Sequence, residues 1–443
     1  MELRRELGLL DLTLFNISAV VGIRWLAAAA HTGPGVLTLW LVAALLFFVP
    51  SALAVASLSR RFPQQGGLYV WTQQAFGPWH GFLCGYCYWL SNVFYFPNLA
   101  LAGVSMTGAA VGLREGDVQV AALLVVWLVL MFNYFGLGVS KWISNLAGAA
   151  TYSTGMILVV AGLATLIAHG SASRVTIWPE ASLEKLNFWS QIAFAFGGLE
   201  LGAVLAGEIR SPQHTIARAA WTSGLIITGF YILGTLALLV LVPSSEISML
   251  NGLIQAGQAI GKQWQLPMAS GVFATLACLS IAGQLGSWMA GAARIPYVAG
   301  IHHLLPPSFS QLHPRWRTPY VAILTQGALS TIFLVAMNAG ENLKAGYQIL
   351  VDMTVILYFI PFGYLFAAAW KGGQRLAGAC GMLVTGIALV LTLVPPPGVS
   401  SVAGFELKLL GGAAVLIAFA RGWFLRFSAS RTPPVLATRD PQI

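Results

Sequence analysis

Long apolar runs separated by short polar breaks follow one another along almost the whole chain. A membrane-spanning helix needs about 20 consecutive, mostly apolar residues. The pattern therefore predicts an all-α integral membrane protein, with one polytopic domain over residues 1–427 and a disordered tail at 428–443. The predicted spans are 10–30, 37–58, 81–111, 119–138, 144–168, 188–207, 218–242, 267–293, 319–338, 346–370, 376–395 and 406–427.

The composition agrees with a chain whose main solvent is lipid. Of 443 residues, 57% are hydrophobic and only 8% are charged. Soluble proteins carry about 25% charged residues, and a chain folded in water needs a polar exterior. The composition therefore excludes a soluble architecture, a coiled coil and a disordered chain.

The positions of the basic residues predict the orientation of the chain. Loops that face the cytoplasm carry an excess of Lys and Arg. With the N-terminus inside, sixteen of the 23 basic residues fall in inside segments and six in outside segments, while Arg24 lies within a span. We therefore expect a multi-pass protein of the cell membrane with twelve spans and both termini cytoplasmic. The net charge of +9 then reflects orientation and not a nucleic-acid partner.

Three charged residues fall well inside predicted spans, namely Arg24, Glu200 and Asp352. A charge at bilayer depth costs several kcal/mol unless it is paired or hydrated, so each is a candidate functional residue. For Arg24 and Glu200 the alternative is an internal ion pair that only holds helices together. For Asp352 the alternative is a position near a span end, facing the lipid headgroups.

Spans one and six share a local pattern that predicts broken helices. Each has a mid-span glycine followed two residues later by a charge, at Gly22 and Arg24 in the first and at Gly198 and Glu200 in the sixth. Interrupted helices at corresponding positions of two halves indicate the central site of a transporter. Straight-helix arithmetic places the two charges roughly 9 Å apart in depth, a gap that a zwitterion fits more easily than a direct salt bridge.

Short motifs occur in the same order along three segments. They read RRFPQQGGLY at 60–69 with AFGP at 75–78, FAFGG at 194–198 with GE at 207–208 and SP at 211–212, and ARIPY at 293–297 with HP at 313–314 and TPY at 318–320. Together they resemble the signatures of the amino acid–polyamine–organocation permeases. The likeness covers spans one to ten in the correct order.

The resemblance implies a five-plus-five inverted-repeat (LeuT-type) transporter fold, with helices 1 and 6 broken. The repeats would cover about 10–168 and 188–370, with two extra helices at about 376–427. In this family the substrate carboxylate meets the backbone of the first break, which corresponds here to Val21, Gly22, Ile23 and Arg24. The amino group meets carbonyls of the sixth helix, near Phe194, Gly197 and Gly198, and Phe194 corresponds to the aromatic lid.

The chain departs from the family pattern at two places that bear on coupling. Arg24 occupies the position of a second glycine, so a guanidinium that can bind a carboxylate partly replaces backbone access. The run 147–151, which ends at Thr151, has no lysine where proton-coupled members often carry one. Arg24, Thr151 and Glu200 are therefore the ion-coupling candidates, and coupling to H⁺ or Na⁺ and exchange without an ion all stay open.

Other polar positions are weaker candidates for the site. Asn92 could line a polar pathway together with Tyr95 and Asn98. Ser280 could contact the substrate or an ion, with helix-to-helix hydrogen bonding as the equal alternative. His80, Cys84 and Cys87 share one helix face, but three possible ligands make a weak metal site, so we predict packing and no metal there.

The function predicted from the sequence is secondary transport of an amino acid, by symport or exchange, through alternating access. The alternatives are a polyamine or organic-cation permease, a non-transporting sensor on a transporter fold, and a polytopic membrane enzyme. Motifs for nucleotide binding or hydrolysis do not occur in the sequence, so neither an enzyme nor a cofactor is expected. The expected partners are the lipid bilayer and a small amino acid or amine.

Overall fold

The computed structural model describes residues 7–179, 183–249, 251–338, 343–395 and 401–428, and this part of the chain is mostly helical. The first seven helices are α1 (Leu9–Val20), α2 (Arg24–His31), α3 (Val36–Arg61), α4 (Leu68–Phe76), α5 (Pro78–Val111), α6 (Glu115–Tyr134) and α7 (Leu137–His169). The next six are α8 (Leu183–Phe194), α9 (Leu201–Val204), α10 (Pro212–Leu241), α11 (Gly252–Gln263), α12 (Ala269–Ala292) and α13 (Arg294–Ile301). The last four are α14 (Tyr320–Asn338), α15 (Leu343–Lys371), α16 (Arg375–Thr392) and α17 (Val402–Phe427).

Length and hydropathy confirm a protein that crosses the membrane several times. Within the described residues, eight helical segments are long and apolar enough to span a membrane, or nine if the bent pair α1–α2 counts as one span. Helices also occupy the three other predicted positions, as α5, the interrupted α8–α9 pair and α14. The total of twelve spans, the repeat boundaries and the tail remain predictions, and residues 429–443 of that tail lie outside the described part.

The interior is built around α5, α12 and α15. Helix α5 packs against both α12 and α15, α12 also packs against α7, and α10 packs against α1 and α3. Helix α5 continues through Pro97, which cannot donate a hydrogen bond to the carbonyl of Val93. The Ser330 hydroxyl of α14 donates to that carbonyl oxygen at 2.9 Å instead. The helix therefore keeps its course past the proline.

Both predicted helix breaks are present. Helices α1 and α2 meet at an angle of 44°, with residues 21–23 between them. Helix α8 ends at Phe194, and turns lead from there to the short helix α9, which starts at Leu201. Gly198 in the second break has φ of +119°, a conformation that only glycine adopts readily. Two interrupted helices therefore come together inside the bundle.

Two features differ from the sequence-based expectations. Helices α4 and α11 occupy stretches that the apolar pattern left as loops, because they are too short to read as spans. Asp352 does not face headgroups, and that alternative is wrong: its side chain is fully buried within α15 and accepts a hydrogen bond from Gln348 Nε2 at 2.9 Å. Linear distance from a span end could not reveal how closely neighbouring helices cover α15.

Candidate functional site

Tyr231 of α10 holds the two helix breaks together. Its hydroxyl donates to the carbonyl oxygen of Val20 at 2.7 Å and lies 3.0 Å from that of Ala195. It also accepts from the backbone N–H of Gly22 at 3.2 Å. The ring is stacked on Trp40, with centroids 4.4 Å apart. One buried phenol thus satisfies backbone groups that both interruptions would otherwise leave without partners.

Helix α12 completes the partners of the first break. Gln284 Nε2 and Trp288 Nε1 both donate to the carbonyl oxygen of Ala19, at 2.9 Å and 2.7 Å. Trp288 also approaches Gly198, where an added Cβ would lie 3.1 Å from the indole ring. The two breaks are therefore packed against one face of α12.

The backbone amides of the first break are only partly available to a ligand. The Val21 amide still donates to Ile17, and the Gly22 amide donates to Tyr231. Ile23 and Arg24 open the next helical turn, where backbone N–H groups have no acceptor within the helix. The backbone N–H groups of Ile23 and Arg24 donate to no backbone carbonyl of the described residues, so among the four residues predicted to meet a carboxylate they are the donors available to a ligand.

Glu200 lies at the second break and is completely buried. Its Oε1 accepts from the hydroxyls of Tyr358 at 2.7 Å and Tyr88 at 2.9 Å. Its Oε2 accepts from the backbone N–H of Gly198 at 3.0 Å. All three donors are neutral, and no basic side chain of the described residues forms an ion pair with this carboxylate.

Arg24 lies at the first break and is 2% exposed. Its Nη1 donates to Asn98 Oδ1 at 2.6 Å and to the Tyr347 hydroxyl at 2.9 Å. The guanidinium carbon lies 4.1 Å from the ring centroid of Trp25 and 5.2 Å from that of Tyr95. Within the described part of the chain, Nε and Nη2 have no hydrogen-bond acceptor. The internal ion pair with Glu200 that the sequence left open does not form.

An aromatic layer lies between the two charges. Phe194, the predicted lid, makes edge contacts with Trp25, Tyr95 and Tyr358, at centroid distances of 5.6, 6.1 and 5.0 Å. Two of these rings border Arg24 and the third binds Glu200. Gly197 allows this packing, because an added Cβ would lie 2.5 Å from the Tyr358 ring.

The remaining predicted site residues lie beside this centre. Thr151 of α7 donates to Ser280 Oγ of α12 at 2.8 Å, so these two residues join helices to each other and make no hydrogen bond to Arg24 or Glu200. Asn92 Nδ2 donates to the carbonyl oxygen of Tyr88 at 2.8 Å. Its Oδ1 is buried with no partner among the described residues and can still accept from a ligand.

Besides Trp25 and Tyr347, which contact Arg24, sequence reasoning missed four aromatic residues of the site, namely Tyr88, Tyr231, Trp288 and Tyr358. For Tyr88 a usable pattern exists, because it lies one helical turn before Asn92 on the stripe that continues to Tyr95 and Asn98. The other three follow long apolar runs, where an aromatic residue reads as core. Only the pairing of helices shows which of their polar atoms face the breaks.

A second buried charge cluster lies at the far end of the broken helix 6. Arg294 Nε donates to Glu208 Oε1 at 2.9 Å, and Nη2 donates to Oε2 at 3.3 Å. Arg294 Nη1 donates to the carbonyl oxygen of Ala290. Gln65, from the first sequence motif, accepts from the Gly207 amide at 2.9 Å. The three motif segments therefore meet here.

Two helices interrupted side by side within a bundle of apolar helices define a LeuT-type membrane transporter. The crystal structure of MhsT in complex with L-phenylalanine has this fold, and it matches with a TM-score of 0.62. The match covers 89% of this chain and 99% of that one, at 14% sequence identity. The chain belongs to the amino acid permease family, whose sequence profile matches residues 7–404. It is therefore a transporter of a small molecule and not an enzyme.

Named relatives agree with this assignment. The chain is 25% identical to the serine/threonine exchanger SteT of Bacillus subtilis, over 82% of this chain and 83% of SteT. It is 24% identical to the probable agmatine/putrescine antiporter AguD of Lactococcus lactis, over 84% of this chain and 80% of AguD. The resemblance to amino acid–polyamine–organocation permeases is confirmed.

Proposed function

We propose that the protein is a secondary active transporter that moves a zwitterionic amino acid across the cytoplasmic membrane by alternating access. The observation that carries this proposal is the pair of buried, opposite charges at the two helix breaks, Arg24 and Glu200. Among the described residues, each is held by neutral groups only. Buried charges without a counter-charge are costly, and a ligand bearing both signs would relieve both.

The substrate carboxylate is assigned to Arg24, with help from the Ile23 amide. The amine is assigned to Glu200 and to the backbone near Gly197 and Gly198. Free N–H groups at the start of a helix favour an anion, and the Nε and Nη2 donors of arginine match a carboxylate in a bidentate geometry. Phe194 lies between the two groups, as expected of a gate.

Exchange of substrates fits the site better than uniport. Without a ligand, the return step of alternating access would leave Arg24 buried without a counter-charge, which costs several kcal/mol. The names of SteT and AguD, an exchanger and a probable antiporter, support the same choice. Symport with H⁺ or Na⁺ is the alternative, with Arg24, Thr151 and Glu200 as its residues. The proposed orientation keeps both termini cytoplasmic, as the distribution of basic residues indicates.

Reconstitution into liposomes tests this function. Uptake of labelled amino acids and amines is measured with and without unlabelled substrate inside, and with imposed pH or Na⁺ gradients. We expect saturable amino-acid uptake that internal substrate accelerates. Arg24→Gln should abolish it, and Arg174→Gln, the same change on an exposed loop residue, should not.

Three outcomes would contradict the proposal. Uptake of diamines alone would favour a polyamine permease instead. Binding without uptake or exchange of any compound would favour a sensor. Failure of every compound to bind or move would overturn the transport proposal.

A further inference from the structure

Arg24 and Glu200 each bind one residue of α5 and one residue of α15, at different heights along these two helices. Along α5, Tyr88 binds Glu200 and Asn98 binds Arg24. These positions are ten residues apart in the chain, which corresponds to about 15 Å along a helix axis. The charges therefore belong to separate levels of the bundle.

Helix α15 shows a similar separation independently. Tyr347 binds Arg24, and Tyr358, eleven residues later, binds Glu200. The axial separation is about 16.5 Å. Because α5 and α15 meet the charges in opposite chain order, they run antiparallel and agree on the separation. The roughly 9 Å estimated from sequence refers to the backbone positions of Arg24 and Glu200 in straight helices. The values of about 15 and 16.5 Å separate their partner residues along α5 and α15.

The free edge of Arg24 is shaped for a carboxylate. Asn98 and Tyr347 both take Nη1, which fixes the plane of the guanidinium. Nε and Nη2, whose N–H bonds point in nearly the same direction, have no acceptor among the residues that the structure describes. Arg294 binds the carboxylate of Glu208 through the same two atoms.

Glu200 accepts hydrogen bonds from neutral groups and from no cationic group in the described part of the chain. Tyr88, Tyr358 and the Gly198 amide hold its two oxygens. An ammonium group beside this carboxylate would supply the missing positive charge. The rings of Tyr95, Phe194 and Tyr358 follow one another from Arg24 to Glu200, and aromatic rings suit methylene groups.

We propose that the preferred substrate is an ω-amino acid, with its carboxylate and its ammonium at opposite ends of a methylene chain. This inference rests on the proposed function and specifies its substrate. An α-amino acid carries both charges next to one carbon, so it can bind either Arg24 or Glu200 but not both. A diamine would place a cation at Arg24, and a dicarboxylate would place an anion at Glu200; both are repelled at one end.

Isomeric ligands test the inference on the unmodified protein. Binding is measured as the ligand-induced rise of the thermal unfolding temperature of the purified protein, and as competition for uptake in liposomes. The pairs are 4-aminobutanoate with 2-aminobutanoate and 5-aminopentanoate with 2-aminopentanoate, which differ only in the position of the amine. We expect each ω-isomer to bind about tenfold or more tightly than its α-isomer, as an additional hydrogen-bonded charge predicts. Glycine and β-alanine should bind more weakly than either ω-isomer.

Two variants test whether Arg24 binds the carboxylate of the ligand and Glu200 binds its ammonium group. Arg24→Gln should reduce the preference for 5-aminopentanoate over 1,5-diaminopentane by about tenfold. Glu200→Gln should reduce the preference for 5-aminopentanoate over pentanedioate by a similar factor. Arg174→Gln is the control and should leave both ratios unchanged.

The outcomes separate the inference from the function beneath it. If α-isomers bind as tightly as ω-isomers and are transported, the inference is wrong and the amino acid transporter stands. If diamines or dicarboxylates bind best, the assignment of the carboxylate to Arg24 and the ammonium group to Glu200 is wrong. If no compound binds or is transported, the proposed function itself is overturned.

Discussion

Two arginines of this protein are almost equally buried and have opposite environments. Arg294 is 4% exposed and binds Glu208 with both Nε and Nη2. Arg24 is 2% exposed, and the same two nitrogen atoms have no acceptor in the described part of the chain. Burial alone therefore does not show what a charged residue does in a membrane protein.

The difference lies in which partner completes each guanidinium. Glu208 completes Arg294 from within the protein, at a point where the chain after α9 meets the end of α12. Arg24 has only neutral partners within the described ranges, so its remaining donors are suited to a ligand. Replacing either residue of a buried ion pair destabilises the protein, because the remaining charge is left uncompensated. An arginine without a counter-charge should instead lower stability until a ligand binds.

The largest expected effect follows from breaking the Glu208–Arg294 pair. Glu208→Gln leaves Arg294 buried without a counter-charge, and we expect a loss of about 3–5 kcal/mol of stability. Arg24→Gln removes an uncompensated charge, so stability without ligand should stay the same or rise. The measurement is thermal unfolding of the purified variants at one scan rate, with the exposed Arg174→Gln as control.

The double variant Glu208→Gln with Arg294→Gln separates charge from packing. If the unpaired charge causes the loss, the neutral double variant should recover part of the stability that Glu208→Gln loses. The comparison of the two arginines fails if Arg24→Gln destabilises the protein as much as Glu208→Gln does.

The sequence predicted the parts of this comparison that depend on composition. Arg24 and Glu200 stood out because charges inside apolar runs are rare, and the glycines beside them indicated the helix breaks. These are properties of a single segment. The family resemblance pointed to Glu208 and Arg294 as motif residues, although nothing in either motif showed that they bind each other.

The parts that could not be predicted depend on contacts between distant segments. Tyr231, Trp288 and Tyr358 are ordinary apolar-run residues until α10, α12 and α15 are placed against the breaks. Asp352 was misjudged for the same reason, because its burial comes from neighbouring helices. The separation of the two charges likewise became visible only through their partners on α5 and α15.

An intermediate effect is expected at the neutral partners of Glu200. Hydrogen bonds to a charged group contribute about 1.5–3 kcal/mol, so Tyr88→Phe and Tyr358→Phe should each destabilise the protein by about that amount. Tyr152→Phe is a matched control, because no described residue hydrogen-bonds to its hydroxyl and the side chain is half-buried. Thermal unfolding measures all three, and equal stability of the three variants would show that neutral donors do not hold Glu200.

The last effect is expected at Tyr231, whose hydrogen bonds involve only neutral groups. Each such bond contributes about 1 kcal/mol, and the hydroxyl donates one and accepts one, so Tyr231→Phe should lower stability by about 2 kcal/mol, no more than Tyr358→Phe does. The change should nevertheless be felt at both breaks, because the lost hydroxyl binds Val20 and Gly22 in one and lies beside Ala195 in the other.

Hydrogen exchange can detect this paired effect. Peptides that cover residues 17–24 and 192–200 should exchange faster in Tyr231→Phe than in the unmodified protein, because the breaks lose their common partner. Peptides from α17, which packs against α5 and α15, should not change, and Tyr152→Phe should affect neither break. Faster exchange at only one break would mean that Tyr231 supports that segment alone, and that the two interruptions are held independently.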